Sequence, residues 1–142
     1  MLKMNIMRDS FLSIKCLEKD YDFILMNYAN PDMVGHTGNM NATVKALQTV
    51  DECLGKIIEA AEENFYTIIL LADHGNADIM IDEKENIVTT HTLNQVPFII
   101  TDKKVKLKEN GNLSNVAPTI LKYLDIALPQ EMKDTKDLFV SE

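Results

Sequence analysis

The chain has 142 residues, enough for one domain that buries roughly 68–70% of its unfolded surface. Its 46% hydrophobic and 25% charged content is ordinary for a soluble globular domain. Twenty-two acidic residues against 14 basic ones leave a net charge of −8, which excludes a nucleic-acid surface. A phosphorylated substrate stays open, because bound cations can reverse the local sign of a site. Cys16 and Cys53 form no C-x-x-C and no framework, as expected of reduced core thiols in a cytoplasmic protein. The N-terminus lacks a signal-peptide core, and the longest apolar run, Phe65 to Ala72, is too short to span a bilayer. Neither a membrane nor nucleic acid is an expected partner.

Residues 9–18 carry Phe11, Leu12, Ile14 and Leu17 near helical spacing, with Asp9 or Ser10 able to cap the start. Tyr21 to Met26 is short and mostly apolar and reads as a buried strand. The stretch Asn30-Pro31-Asp32-Met33-Val34-Gly35-His36-Thr37-Gly38 reads as a loop. Pro31 disfavours helix at Asn30, and the glycines permit positive φ. The spacing of Asp32 and His36 is therefore not expected to be helical. The clearest helix runs from about Asn41 to Glu63, with Val44, Leu47, Val50, Leu54, Ile57, Ile58 and Ala61 on one stripe. Asn39 or Asn41 can cap its start and Asn64 can end it. Asp51 lies at the stripe edge, either as a rim residue or as a partner for the 30–38 loop.

Phe65 to Ala72 reads as a second buried strand, ending in Asp73-His74-Gly75-Asn76-Ala77-Asp78. Ile79–Ile81 and Ile87–Thr90 read as a hairpin around the turn 82–86. His91 follows it, and Val96–Ile100 is a third strand. Val105–Leu107 is a candidate edge strand. Ser114 is positioned to cap a helix from about Asn115 to Leu124, and the last eighteen residues are polar and expected to pack loosely. Strands alternating with helices predict an α/β fold, a mainly parallel sheet flanked by helices. Sites in such sheets form beyond the carboxyl ends of the strands, which would put Asp32, His36, Asp73 and His74 along one edge.

All three histidines, His36, His74 and His91, sit in or beside turns after β-like segments, with Asp32 and Asp73 near two of them. Imidazole and carboxylate together suit Mn, Fe, Co or Zn. Five residues satisfy one metal well. They fall short for two metals, each of which needs about four ligands. No serine stands in a nucleophile context: Ser10, Ser13, Ser114 and Ser141 lie outside these loops, and Thr37 and Thr90 have no distinguishing surroundings. Phosphate-clamping residues are sparse, Arg8 being the one arginine and Lys45 and Lys84 the nearest lysines.

The stretch 27–38, the segment Val50-Asp51-Glu52-Cys53-Leu54-Gly55, the motif Ala72-Asp73-His74-Gly75-Asn76-Ala77-Asp78, and His91-Thr92 ahead of Val96-Pro97-Phe98 closely resemble the cofactor-independent phosphoglycerate mutases. Residues 115–121 resemble the closing helix of the wider alkaline-phosphatase superfamily. The resemblance implies an alkaline-phosphatase-like fold and interconversion of 3-phosphoglycerate and 2-phosphoglycerate in glycolysis, through a phosphoserine at a two-metal Mn²⁺ site. By that resemblance Asp32, His36 and His91 correspond to the ligands of one metal, and Asp73 and His74 to two ligands of the other.

The family is several times longer than this chain. The resemblance therefore makes residues 1–142 the C-terminal portion of the phosphatase-like domain. The N-terminal segment with the nucleophilic serine, and the inserted transferase domain, are absent. The isolated chain is then expected to be inactive, to bind at most one metal well, and to self-associate through an exposed sheet edge. The alternatives are another enzyme of that superfamily, a phosphopentomutase or phosphomonoesterase, and a non-enzymatic metal-binding module.

Overall fold

The computed structural model describes residues 6–140, with side chains from Leu12 onward. It falls into two compact units, Met1–Thr101 and Asp102–Glu142.

In the first unit, α1 is described over Ile6–Leu17, so Asp9 and Ser10 lie inside the helix and not at its cap. A second helix, α2, spans Asn30–Gly35, where the sequence predicts a loop. Pro31 falls in its first turn, where a missing N–H costs nothing, so the proline that argued against helix helps to start one. The His36 N–H still bonds to the Asp32 carbonyl at 3.1 Å, and the four-residue spacing is therefore helical. Gly38 then takes φ +68° to turn the chain into the next helix.

The long helix α3 spans Met40–Glu63. The Asn39 side chain caps it by accepting from the Ala42 N–H at 3.0 Å, and Asn64 ends it. Its buried face is Thr43, Cys53, Ile57 and Ala61, while Val44, Leu47 and Asp51 are exposed. The apolar stripe is thus covered mainly along its second half. There Leu17 of α1, Ile57 and Ala61 form the core, with Ile24, Met26, Tyr28, Tyr66 and Ile68 packed on it.

The sheet is smaller than the sequence predicts and of opposite sense. The strands β1, Ile69–Leu71, and β2, Phe98–Ile100, pair antiparallel, Leu70 opposite Ile99. Tyr21–Met26 forms neither helix nor strand and joins no ladder among the described residues. Its alternate residues Ile24 and Met26 face the core, while Tyr21, Phe23 and Leu25 are exposed, Leu25 at 82%. It is half-buried, not buried on both faces. The Tyr66 hydroxyl fixes its start, accepting from the Tyr21 N–H at 3.0 Å and lying 2.7 Å from the Lys19 carbonyl. The predicted hairpin is present as a tight turn, with one bridge between Ile81 and Ile87 and the Asp82 carboxylate accepting from Lys84 and Asn86.

In the second unit, α4 spans Val116–Tyr123, preceded by a 3-10 turn at Leu113–Asn115. Asn112, not Ser114, caps that turn, through reciprocal bonds with Asn115, and Ser114 donates its hydroxyl to Asn112. The C-terminal residues are not loose. Leu138 is buried, its N–H bonds to the Thr119 hydroxyl, and Phe139 bridges Leu107. Lys122 pairs with Asp137 at 3.0 Å. None of the described helices is long and apolar enough to cross a membrane.

Candidate metal centre

Three elements of the first unit bring the five candidate ligands together. The helix α2 and its C-cap carry Asp32 and His36. Asp73 and His74 follow the end of β1, and His91 lies on the irregular segment before β2. Because β1 and β2 are antiparallel, the end of one and the approach to the other lie at the same edge of the pair.

Asp32 Oδ1 lies 3.2 Å from His36 Nε2 and 3.2 Å from His91 Nε2, and the two nitrogens are 3.1 Å apart. A cation held at about 2.0–2.2 Å by three such atoms needs them about 3.0–3.5 Å apart. The triangle meets that requirement. A second, wider set joins Asp32, His74 and His91, whose ligand atoms fall within 4.8 Å of one another. His74 Nε2 is 3.9 Å from Asp32 Oδ1, outside the close triangle, and its ring stacks on His91 at 3.7 Å. The two sets share Asp32 and His91. The shorter distances favour His36 as the third member.

His36 Nδ1 is 2.7 Å from the Thr89 carbonyl, which can only accept. Nδ1 therefore carries a proton, and Nε2 faces Asp32 and His91. Two imidazole nitrogens and a carboxylate oxygen turned on one another suit a shared cation. Asp32 is oriented by Asn76, whose amide donates to Oδ1 at 2.6 Å. Burial alone would raise the Asp32 pKa. The Asn76 hydrogen bond and then the charges of His36, His74 and His91 outweigh it and hold the carboxyl below 3.8.

Asn76 is 8% exposed and packs directly on Gly35, where any Cβ would collide with its Oδ1. Gly35 is therefore a close-approach glycine in α2. Asn30 Oδ1 is buried with no hydrogen-bond partner among the described residues.

Asp73 is different. Its side chain is 80% exposed, and its carboxylate reaches His74 Nε2 at 3.6 Å. Asp51 makes none of the site's hydrogen bonds. Among the described residues no lysine or arginine pairs with the site's carboxylates; Lys15 pairs with Glu18 and Lys122 with Asp137.

Sequence reasoning missed Asn76, Asp78, Thr92 and Asn94. Asp78 accepts from Thr92 Oγ1 at 2.9 and 3.1 Å and from Asn94 Nδ2 at 2.7 Å. Burial alone would raise its pKa, but the bonds from Asn94 and Thr92 hold it below the usual carboxylate value. Asn76 and Asp78 belong to the Ala72–Asp78 motif, so composition marked the place but not the roles.

A family model described as the metalloenzyme superfamily matches residues 1–128. The chain is 52% identical over 118 residues to the 2,3-bisphosphoglycerate-independent phosphoglycerate mutase of Mycoplasma genitalium, covering 82% of the chain and 23% of that relative. To the same-named protein of Mycoplasmoides gallisepticum it is 56% identical over 113 residues, 79% of the chain and 22% of the relative. To that of Campylobacter jejuni it is 50% identical over 121 residues, 84% and 25%. The chain thus spans about a quarter of the length of the curated relatives it matches. The chain belongs to the metalloenzyme superfamily, and over most of its length it is similar to these phosphoglycerate mutases.

Proposed function

We propose that this chain forms the metal-binding portion of a phosphoglycerate mutase, which interconverts 3-phosphoglycerate and 2-phosphoglycerate in cytoplasmic glycolysis. The observation that carries the reading is the triangle of Asp32 Oδ1, His36 Nε2 and His91 Nε2, with sides of 3.1–3.2 Å. The identity of 50–56% to mutases of that name supports it.

In this reading Asp32, His36 and His91 hold one Mn²⁺, while Asp73 and His74 offer two ligands to a second. Such ions polarise a phosphoryl oxygen and lower the pKa of an attacking hydroxyl. The chain's own residues fix the geometry: Thr89 sets the His36 tautomer, and Asn76 aims the Asp32 carboxylate. The nucleophilic serine, the remaining ligands and the glycerate-binding groups come from polypeptide beyond these 142 residues. Ser13 lies on α1, and Ser114 bonds to Asn112.

The whole chain is then the C-terminal portion of an alkaline-phosphatase-like domain. Residues 21–26 take a place in a mainly parallel sheet once its other strands are supplied. Left uncovered, the row Tyr21, Phe23 and Leu25 favours self-association. Sedimentation of the chain against its Leu25→Lys variant tests this: a monomer in both contradicts it.

A chimera tests the function. This chain replaces the matching segment of the Mycoplasma genitalium protein, and conversion of 3-phosphoglycerate is followed by phosphorus NMR. Retained mutase activity is expected, and a preference for a pentose phosphate overturns the assignment. Turnover of phosphoglycerate by the isolated chain contradicts the claim that the nucleophile lies elsewhere.

A further inference from the structure

We propose that Asp78 is a positioning residue: through Thr92 and Asn94 its carboxylate holds the His91 segment against the His74 loop, and so sets the place of His91 in the metal triangle. The proposal rests on the metal reading above.

His91 lies on residues 89–97, which form neither helix nor strand. The Thr89 carbonyl meets His36 Nδ1 at 2.7 Å, the His91 ring stacks on His74, and Thr92 bridges Gly75. Thr90 and Asn94 are exposed, and Leu93 is fully exposed, so no apolar anchor beside His91 is buried. Two polar connections lie just beyond His91 in the chain. The Thr92 N–H donates to the Gly75 carbonyl at 2.9 Å. The Asp78 carboxylate then takes the Thr92 hydroxyl at 2.9 Å, at the bridge itself, and the Asn94 amide at 2.7 Å, two residues beyond it. Both oxygens are engaged, since Thr92 Oγ1 also lies 3.1 Å from the other one. The Asn94 N–H in turn reaches Thr92 Oγ1 at 3.4 Å.

Bonds to an ionised acceptor are the stronger kind, and a two-point clamp constrains direction as well as distance. The approach is close enough to exclude a side chain at Gly75, where a Cβ would collide with Thr92 Oγ1. Thr92 is the neighbour of His91 in the chain, so any slip of the clamp moves the imidazole. A displacement of under an ångström suffices to spoil a triangle with sides of 3.1–3.2 Å. Asp78 itself touches none of the five ligands through the bonds described, which separates positioning from ligation.

The test measures Mn²⁺ affinity by titration calorimetry and the visible spectrum of the Co²⁺-loaded chain, for Asp78→Ala, Thr92→Val and Thr92→Ser. Removing a supporting partner of a metal ligand typically weakens affinity about 10–100-fold. Asp78→Ala and Thr92→Val are expected near the lower end of that range, with a changed Co²⁺ spectrum. Thr92→Ser keeps the hydroxyl and is expected to retain both affinity and spectrum. A purely structural role would lower thermal stability in Asp78→Ala and Thr92→Val while leaving the Mn²⁺ affinity and the Co²⁺ spectrum of the folded protein unchanged. Wild-type affinity and spectrum in Asp78→Ala and Thr92→Val, with binding still lost in His36→Ala, overturn the positioning role alone. Failure of the wild-type chain to bind Mn²⁺ overturns the metal reading and this proposal together.

Discussion

The two halves of the centre differ in how much of their support lies in this chain. In the triangle of Asp32, His36 and His91, the first two are each held by neighbouring groups of this chain. The backbone of α2 sets the Asp32–His36 spacing, Thr89 fixes one imidazole, and a buried Asn76 fixes the carboxylate. Around Asp73 and His74 the support is thinner: His74 Nδ1 lies 3.3 Å from the Gly75 carbonyl and its ring stacks on His91, but the Asp73 carboxylate is 80% exposed to solvent. A ligand set becomes a site when neighbouring groups restrict its orientations, because each free rotamer must otherwise be ordered by the metal itself. The first half meets that condition inside these residues. The second does not.

The comparison breaks most readily at Asp32, which belongs to both overlapping ligand sets. Asp32→Ala is expected to weaken Mn²⁺ binding by more than the roughly 10–100-fold seen for supporting residues, as measured by calorimetry. Retained affinity would show that the triangle is not the binding site. Gly35→Ala comes next. The new methyl meets Asn76 Oδ1, an overpacking expected to cost about 1–3 kcal/mol in urea unfolding. It should also loosen Asn76 from Asp32 and weaken metal binding. An unchanged midpoint and affinity would mean that Asn76 has room to move.

A smaller effect concerns protonation of the metal-free chain. The Asp32 carboxyl is depressed in the folded state, so its stabilising contribution is present above the unfolded value of 3.8 and is lost as pH falls through the lower folded value. Asn76→Ala removes the largest of the causes that lower it. Carbon NMR titration should then show the Asp32 carboxyl moving upward; no movement contradicts the assigned hydrogen bond. The smallest effect is expected at Asp73. Asp73→Ala should leave the first Mn²⁺ affinity unchanged, and a large loss would mean that both halves already work as one site.

The sequence singled out Asp32, His36, Asp73, His74 and His91 by residue type, and their side chains lie near one another in the structure. The helix under two of them was not. Pro31, Gly35 and Gly38 carry the composition of a loop, yet proline is harmless in a first helical turn and Gly35 is required by the approach of Asn76. Helix α3 was readable because its period extends over many turns, and its boundaries matched to within a residue at Met40 and Glu63. The supporting residues were beyond local reading. Asn76 meets Asp32 across 44 positions, and Asp78 meets Asn94 across 16, so their roles exist only after the loops have met. The described residues do not form the expected parallel sheet, for a related reason: Tyr21–Met26 has one covered face, and no described strand lies alongside it.

The most direct test is the number of Mn²⁺ ions bound per chain, counted by electron paramagnetic resonance in the purified protein and in its His36→Ala variant. One tightly bound ion per wild-type chain, lost in the variant, is the expected result. Two equivalent ions in the wild type, or a count that His36→Ala leaves untouched, would contradict a single complete position built on Asp32, His36 and His91.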